Sequence, residues 1–156
     1  MIRTARISDR AEIQKLCQSI DFEPDEVEIV MAAFDQTFTA NRSHQPTLWL
    51  VDADDSSIHG VAYAAQERMT DGTYNLFLIA VHPDQQKQGR GTNLIQQVER
   101  TVLEMGGRIL LIETMAIADF SYVHRLYKQL GYEQEGQIRD FYAAGYDKVI
   151  FWKKLM

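Results

Sequence analysis

Residues 79–100, IAVHPDQQKQGRGTNLIQQVER, hold the densest concentration of potential chemistry in the chain. An apolar run ends in His82-Pro83, a polar turn follows with glycines at 89 and 91, and an amphipathic pattern opens directly after it. A helix beginning at Gly89 presents backbone N–H groups without internal partners, together with the positive end of its dipole, so an anion is stabilised there. Glycines keep side chains out of the path of a bulky diphosphate, and Lys87, Gln88 and Arg90 add donors. On this feature alone, a glycine turn that merely starts a helix is an equal reading. Two phosphate loops are excluded by spacing. The dinucleotide fingerprint requires a third glycine where Leu94 stands, and no Lys-Ser/Thr pair follows to make a nucleoside-triphosphate loop.

The elements around this turn follow from periodicity. MIRTARIS alternates as a first strand through Ile2, Thr4 and Ile7, and a helix is expected over about Asp9 to Ser19. Pro24 opens a second helix carrying Val27, Val30, Met31, Phe34 and Phe38, after which ANRSHQPT (40–47) reads as loop. Residues 48–81 hold three strands of an antiparallel meander, and Leu94, Val98, Val102 and Met105 mark a long helix closed by Gly106-Gly107. RILLIET reads as a fully buried strand because its apolar run is continuous. DFSYVHRLYKQLGY is helical to Gly131, and the strands YEQEGQI and DKVIFWKKL flank a loop RDFYAAGY. The order β-α-α-β-β-β-α-β-α-β-β defines a mixed α/β (α+β) sheet with helices on both faces, and the strands around the long helix form a right-handed parallel βαβ unit.

Composition narrows the function classes. At 156 residues and 46% hydrophobic, the chain is expected to be one domain spanning 1–156. Sixteen basic against 22 acidic residues, a net charge of −6, argues against a nucleic-acid partner. The charged N-terminal residues do not resemble a signal peptide, and no apolar run reaches the roughly 18 residues of a membrane span, so a cytoplasmic protein with no membrane partner is expected. Cys17, the one cysteine, falls at helical spacing with Ile13, Leu16 and Ile20 and is read as a core thiol. The histidines, 44, 59, 82 and 124, have no metal-ligand spacing, and no Gly-x-Ser-x-Gly turn supplies an acyl-enzyme nucleophile. No metal and no covalent enzyme intermediate are expected.

Gln86-Lys87-Gln88-Gly89-Arg90-Gly91 resembles the Gln/Arg-x-x-Gly-x-Gly/Ala pattern of the GNAT superfamily of N-acetyltransferases. IAVHP before it, LLIET and RLYKQLGY after it are similar to the family's neighbouring motifs, in the family's order. The resemblance implies the GNAT fold, with a mostly antiparallel central sheet, and acetyl-CoA as cosubstrate. It implies that Ile79, Ala80 and Val81 contact the pantetheine and acetyl group, and that Gln86 to Thr92, including Lys87, Gln88, Gly89, Arg90 and Gly91, hold the pyrophosphate. An N–H near Val81 would polarise the thioester carbonyl.

Acetyl transfer to an amine needs a neutral amine, oxyanion stabilisation and a proton for the departing thiolate. By resemblance Tyr127 is the general acid, and its phenol is protonated at neutral pH. Glu113 stands where some relatives carry a base, and a carboxylate in an apolar strand implies a cleft or a hydrogen-bond partner. Phe120 occupies the position of the family's pantetheine-binding asparagine, with Ser121 as substitute, and Asn75 stands where others place a glutamate. Acceptor specificity in the family lies in two loops. Here they offer Asp21, Glu23, Asp25 and Asp140 to attract a cationic amine, and Phe22, Phe141, Tyr142 and Tyr146 to wall its apolar part. The function implied is transfer from acetyl-CoA to the primary amine of a small molecule or a protein N-terminus, with a homodimer left open. The alternative is an acyl-CoA-binding sensor of the same fold.

Overall fold

The computed structural model describes residues 1–39 and 45–156; His44 and most of the expected loop over 40–47 lie outside the described residues. The elements are β1 (Ile2–Thr4), α1 (Arg10–Ser19), α2 (Pro24–Thr37), β2 (Thr47–Ala53), β3 (Ile58–Gln66), β4 (Thr73–Val81), α3 (Arg90–Glu104), β5 (Ile109–Met115), α4 (Ser121–Gln129), β6 (Glu133–Ala143) and β7 (Tyr146–Lys154), with short 3-10 turns before α1, α3 and α4. They build one seven-stranded sheet in the order β1-β2-β3-β4-β5-β7-β6, in which only β4 and β5 run parallel. Among the described residues no helix is long and apolar enough to cross a membrane.

Two cores form on opposite faces. The apolar stripe of α3, Leu94, Ile95, Val98 and Val102, packs with Tyr127 of α4 on Leu76, Leu110, Ile112 and Phe151 of the sheet. Ile13, Leu16 and Cys17 of α1 and Val27, Met31 and Phe34 of α2 cover Trp49, Val51, Val61 and Leu78 on the other face. Burial pushes the Cys17 thiol up to about 11, in keeping with an inert core cysteine.

Four expectations need correction. Ile7 is not in the first strand: β1 ends at Thr4, and Ile7 begins a 3-10 turn whose Asp9 carboxylate receives Arg3 at 2.8 and 2.9 Å and the Arg6 N–H at 2.7 Å. Met105 is the exposed C-cap of α3, not part of its buried stripe. RILLIET is not buried on both faces. Leu110 and Ile112 are buried, but Leu111 and Glu113 are half-buried, because α1 and α2 lie over the β2–β4 part of the sheet and leave that face of β5 uncovered. RDFYAAGY is largely strand: β6 runs through Ala143, with a bulge at Asp140 (φ 56°) whose N–H donates to Asp147 at 2.9 Å and whose carboxylate accepts the Gly145 N–H at 2.8 Å.

Candidate active site

The site begins as a defect in the sheet. β4 pairs with β5 from Thr73↔Ile109 to Leu76↔Ile112 and no further. At the same point the β3–β4 register jumps from Ala64↔Leu76 to Tyr63↔Leu78, leaving Phe77 as an extra residue. A bulge bends and twists its strand, so the upper half of β4 veers away from β5. Above the bulge, His82 N–H donates to His59 C=O at 2.8 Å, which fixes the hydrogen-bonding phase of the β3–β4 ladder. The peptide groups of Ile79 and Val81 therefore face away from β3, into the gap left by β5. Across that gap, Ala116 N–H donates to Asp147 C=O at 2.9 Å, so the alternate peptide group of Glu113 turns toward β4. Two strand edges thus face each other unpaired.

The glycine turn closes the top of this gap. Gly89 is the N-cap of α3 in the left-handed region (φ 81°), Lys87 shares that conformation (φ 61°), and no side chain caps the helix. The first amide of the helix region to find an acceptor is that of Asn93, bonded to Gly89 C=O at 3.0 Å; the N–H groups of residues 87 to 92 donate to nothing among the described residues. A left-handed residue followed by a helical one turns successive N–H groups into one concavity, a nest for an anion. A Cβ added at Gly89 would meet nothing within 4 Å, and one at Gly91 only Val81 Cγ2 at 3.9 Å. The space over the turn is unfilled by protein.

Two further bonds hold the turn in place. Gln86 Nε2 donates to Val81 C=O at 3.0 Å, and Arg90 Nη1 donates to Asp52 Oδ2 at 2.7 Å. Burial alone would raise the Asp52 carboxyl; the Arg90 guanidinium is among the partners that reverse this and hold it below the usual range. Asp52 is buried, and Arg90 Nε is buried without a partner among the described residues. Gly60 of β3 lets α3 approach, since a Cβ there would lie 2.8 Å from Leu94 Cδ1.

A cleft of about 750 Å³ runs through the gap, and most of the expected site residues line it: Ile79, Ala80, Val81, Gln86, Lys87, Gly89, Arg90, Gly91, Thr92, Glu113 and Tyr127. Gln88 and Ser121 do not. Gln88 Nε2 reaches back to Asp84 C=O at 3.4 Å, and Ser121 is exposed at the start of α4, where its neighbours Phe120 and Tyr122 line the cleft instead.

Tyr127 is 4% exposed, with its ring edge-on to Phe151 at 5.4 Å. Its hydroxyl has no hydrogen-bond partner among the described residues, and desolvation, with Tyr122 adding to it, pushes the phenol up to about 12. It is a protonated, unengaged donor at neutral pH. Glu113 is engaged: Lys148 Nζ of β7 lies 2.6 Å from its Oε2 and 3.9 Å from the centre of the Phe141 ring. That partner was invisible in the sequence, because Lys148 reaches Glu113 only through the β5–β7 register that sets Met115 opposite Lys148.

The residues expected to meet an acceptor divide. Asp21 and Phe22, between α1 and α2, line the cleft, whereas Glu23 and Asp25 belong to the start of α2 and Asp140 to the hairpin bulge. Phe141, Tyr142 and Tyr146 are half-exposed on the β6–β7 hairpin outside the cleft lining. Phe77, which also lines the cleft, is hidden in the unbroken apolar run LFLIAV (76–81). Among the described residues no cluster of histidine, cysteine or carboxylate side chains could hold a metal ion.

The Acetyltransferase (GNAT) domain description matches residues 44–134, more than half the chain. The chain belongs to the GNAT acetyltransferase family. No curated protein sequence matches it. A GNAT-family protein from Desulfovibrio desulfuricans is 27% identical over 100% of this chain and 99% of its own, with a TM-score of 0.93. The ribosomal-protein-S18-alanine N-acetyltransferase of Escherichia coli shares the fold at 21% identity (99% and 93% covered, TM-score 0.75). So does yncA from Salmonella typhimurium, solved with acetyl-CoA, at 18% identity (100% and 94% covered, TM-score 0.78). In this GNAT domain the opened β4–β5 edge and the uncapped glycine turn are the features to which the family's activity must be fitted.

Proposed function

We propose that the protein transfers the acetyl group of acetyl-CoA directly to a primary amine. The observation that carries this reading is the run of unpartnered amides over residues 87 to 92, opening on space where added side chains at Gly89 and Gly91 would meet almost no protein. A diphosphate is the anion of matching size and charge, and yncA of Salmonella typhimurium, of the same fold, was solved with acetyl-CoA. The pantetheine arm, which carries amides, lies along the free edge of Ile79 and Val81, and one of those N–H groups polarises the thioester carbonyl.

The neutral amine attacks the carbonyl carbon, a C–N bond forms, and the tetrahedral intermediate collapses with cleavage of the C–S bond. The nitrogen gives up its proton to water, and the thiolate takes one from Tyr127, which is reprotonated from solvent. Glu113 lines the cleft and is bound to Lys148 through one oxygen; taking up a proton would cost it that ion pair. It orients the incoming amine, and water carries the proton away.

The test uses Gly91→Val. A branched side chain there obstructs the diphosphate but touches only Val81, so the protein stays folded while acetyl-CoA affinity falls at least about tenfold, or about 1.4 kcal/mol. Unchanged affinity in the folded variant would put the cosubstrate elsewhere. Binding of acetyl-CoA without thiol release for any amine would leave a sensor, not a transferase.

A further inference from the structure

β4 is a central strand, yet its Phe77 is 51% exposed. The ring lies on the α1/α2 side of the sheet, 5.8 Å from Tyr63 at an interplanar angle of 30°, and Tyr63 in turn stacks on Trp49 at 4.3 Å and 14°. Trp49 is fixed by its Nε1 donating to Thr37 Oγ1 at 3.1 Å and by the edge of Phe34 at 5.1 Å. A three-ring ladder thus runs across β2, β3 and β4 and ends in an uncovered ring inside the cleft. The negative charges around it are sparse. Among the cleft-lining residues the only carboxylates are Asp21 and Glu113, and Lys148 already neutralises Glu113. Asp21 makes no ion pair among the described residues, and Phe22 beside it supplies a second aromatic wall. A polycationic acceptor would need several free carboxylates, and this site has one.

We infer that the acceptor is a monocationic arylalkylamine, its ring stacked on Phe77 and its ammonium drawn in by Asp21, a class that rests on the acetyl-transfer reading above. Ring faces and edges attract through their quadrupoles as well as through buried area. The stack behind Phe77 holds that surface in place before the amine arrives, so little ordering is lost on binding. The ammonium sheds its proton to water inside the cleft before attack, and the transfer then follows the bond changes already described.

The experiment compares 2-phenylethylamine, n-butylamine, spermidine and an aminoglycoside as acceptors, with the wild type, Phe77→Ala and Asp21→Asn. Thiol release is read alongside calorimetric affinity for each amine in the presence of CoA. In the wild type, kcat/KM for phenylethylamine should exceed that for butylamine at least about tenfold, and Phe77→Ala should cut the ratio to about threefold or less. Asp21→Asn should raise KM for both amines at least about threefold and leave their ratio in place. A wild-type ratio near one, an Asp21→Asn variant with unmoved KM, or a best turnover with spermidine or the aminoglycoside would overturn the arylalkylamine assignment and leave acetyl transfer standing. No release with any amine, although acetyl-CoA binds, would overturn the transfer reading as well.

Discussion

The two ends of the β4-α3-β5 unit use the same residue types for opposite purposes. At the closed end, where Thr73–Leu76 pair with Ile109–Ile112, Gly107 is a packing glycine: a Cβ there would overlap Val102 Cγ1 and lie 2.8 Å from Val102 C=O. At the open end, a Cβ added at Gly89 or Gly91 would meet nothing closer than Val81 Cγ2 at 3.9 Å among the described residues. Two buried tyrosines, 127 and 132, differ in the same way. Tyr132 donates to Glu99 at 2.9 Å, and Lys153 holds that carboxylate at 2.9 and 3.0 Å, whereas the hydroxyl of Tyr127 has no partner among the described residues. Near the closed end the Tyr132 hydroxyl is bound within the protein, and at the open end the Tyr127 hydroxyl and the amides of the glycine turn are not.

The sharpest way to break this contrast is Gly107→Ala. If the glycine serves packing alone, the variant should lose about 3 kcal/mol of stability, through overlap with side chain and backbone of the same turn. Acetyl-CoA affinity of the folded fraction should match the wild type. Chemical denaturation followed by titration below the midpoint checks both. A stable variant with weakened cosubstrate binding would reverse the assignment of the two ends.

Next in size is the pair of tyrosines. Tyr127→Phe keeps the ring on Phe151 and removes the free donor, so turnover should fall by very roughly 10²-fold, about 2.7 kcal/mol, with fold and affinity retained. The loss should shrink for an acetyl thioester with a more acidic thiol, which needs less protonation as it leaves. Tyr132→Phe should do the converse, costing about 1 kcal/mol of stability while turnover stays within about twofold. Equal fractional losses with both thioesters would remove Tyr127 as the acid.

How far the sequence could go follows from which of these features are local. The helix stripe of Leu94, Val98 and Val102, the glycine turn and the strand-helix order are written at short range, and periodicity finds them. The splay of β4 from β5 is not local: it depends on one extra residue in the β3–β4 register, and Phe77 in an apolar run has no periodicity that marks a bulge. Lys148 beside Glu113 and Asp52 beside Arg90 depend on strand pairing and helix docking across the fold. The hairpin RDFYAAGY was read as loop because polar and glycine residues weaken strand patterning, yet Asp147 supplies acceptors to Gln137 and to the backbone of Asp140 that stiffen it into strand. Motif spacing therefore picks out most of the residues that line the cleft, while their ion pairs and the uncovered ring of Phe77 come only with register.

The smallest effect expected is in the pH profile, and it separates the open-end tyrosine from an ordinary phenol. With the group pushed up to about 12 by burial, only about 1% of Tyr127 is ionised at pH 10, whereas half of a phenol of reference pKa about 10 would be. At saturating acceptor, kcat of the wild type should therefore show a loss below a few per cent from this group between pH 8 and 10, with no descending limb before about pH 11. Stability behaves differently. A phenol whose folded pKa is raised keeps its proton where the unfolded chain loses it, so its contribution is complete below about pH 10 and drains away as pH rises toward 12. Tyr132, also raised by burial and by Glu99, adds to the same alkaline loss. Rates should accordingly be taken immediately after a jump from pH 8, before unfolding intrudes. A kcat that halves by pH 10 under those conditions, with folding intact by circular dichroism, would mean that Tyr127 titrates as an exposed phenol and that the open end of the unit is wetter than its burial implies.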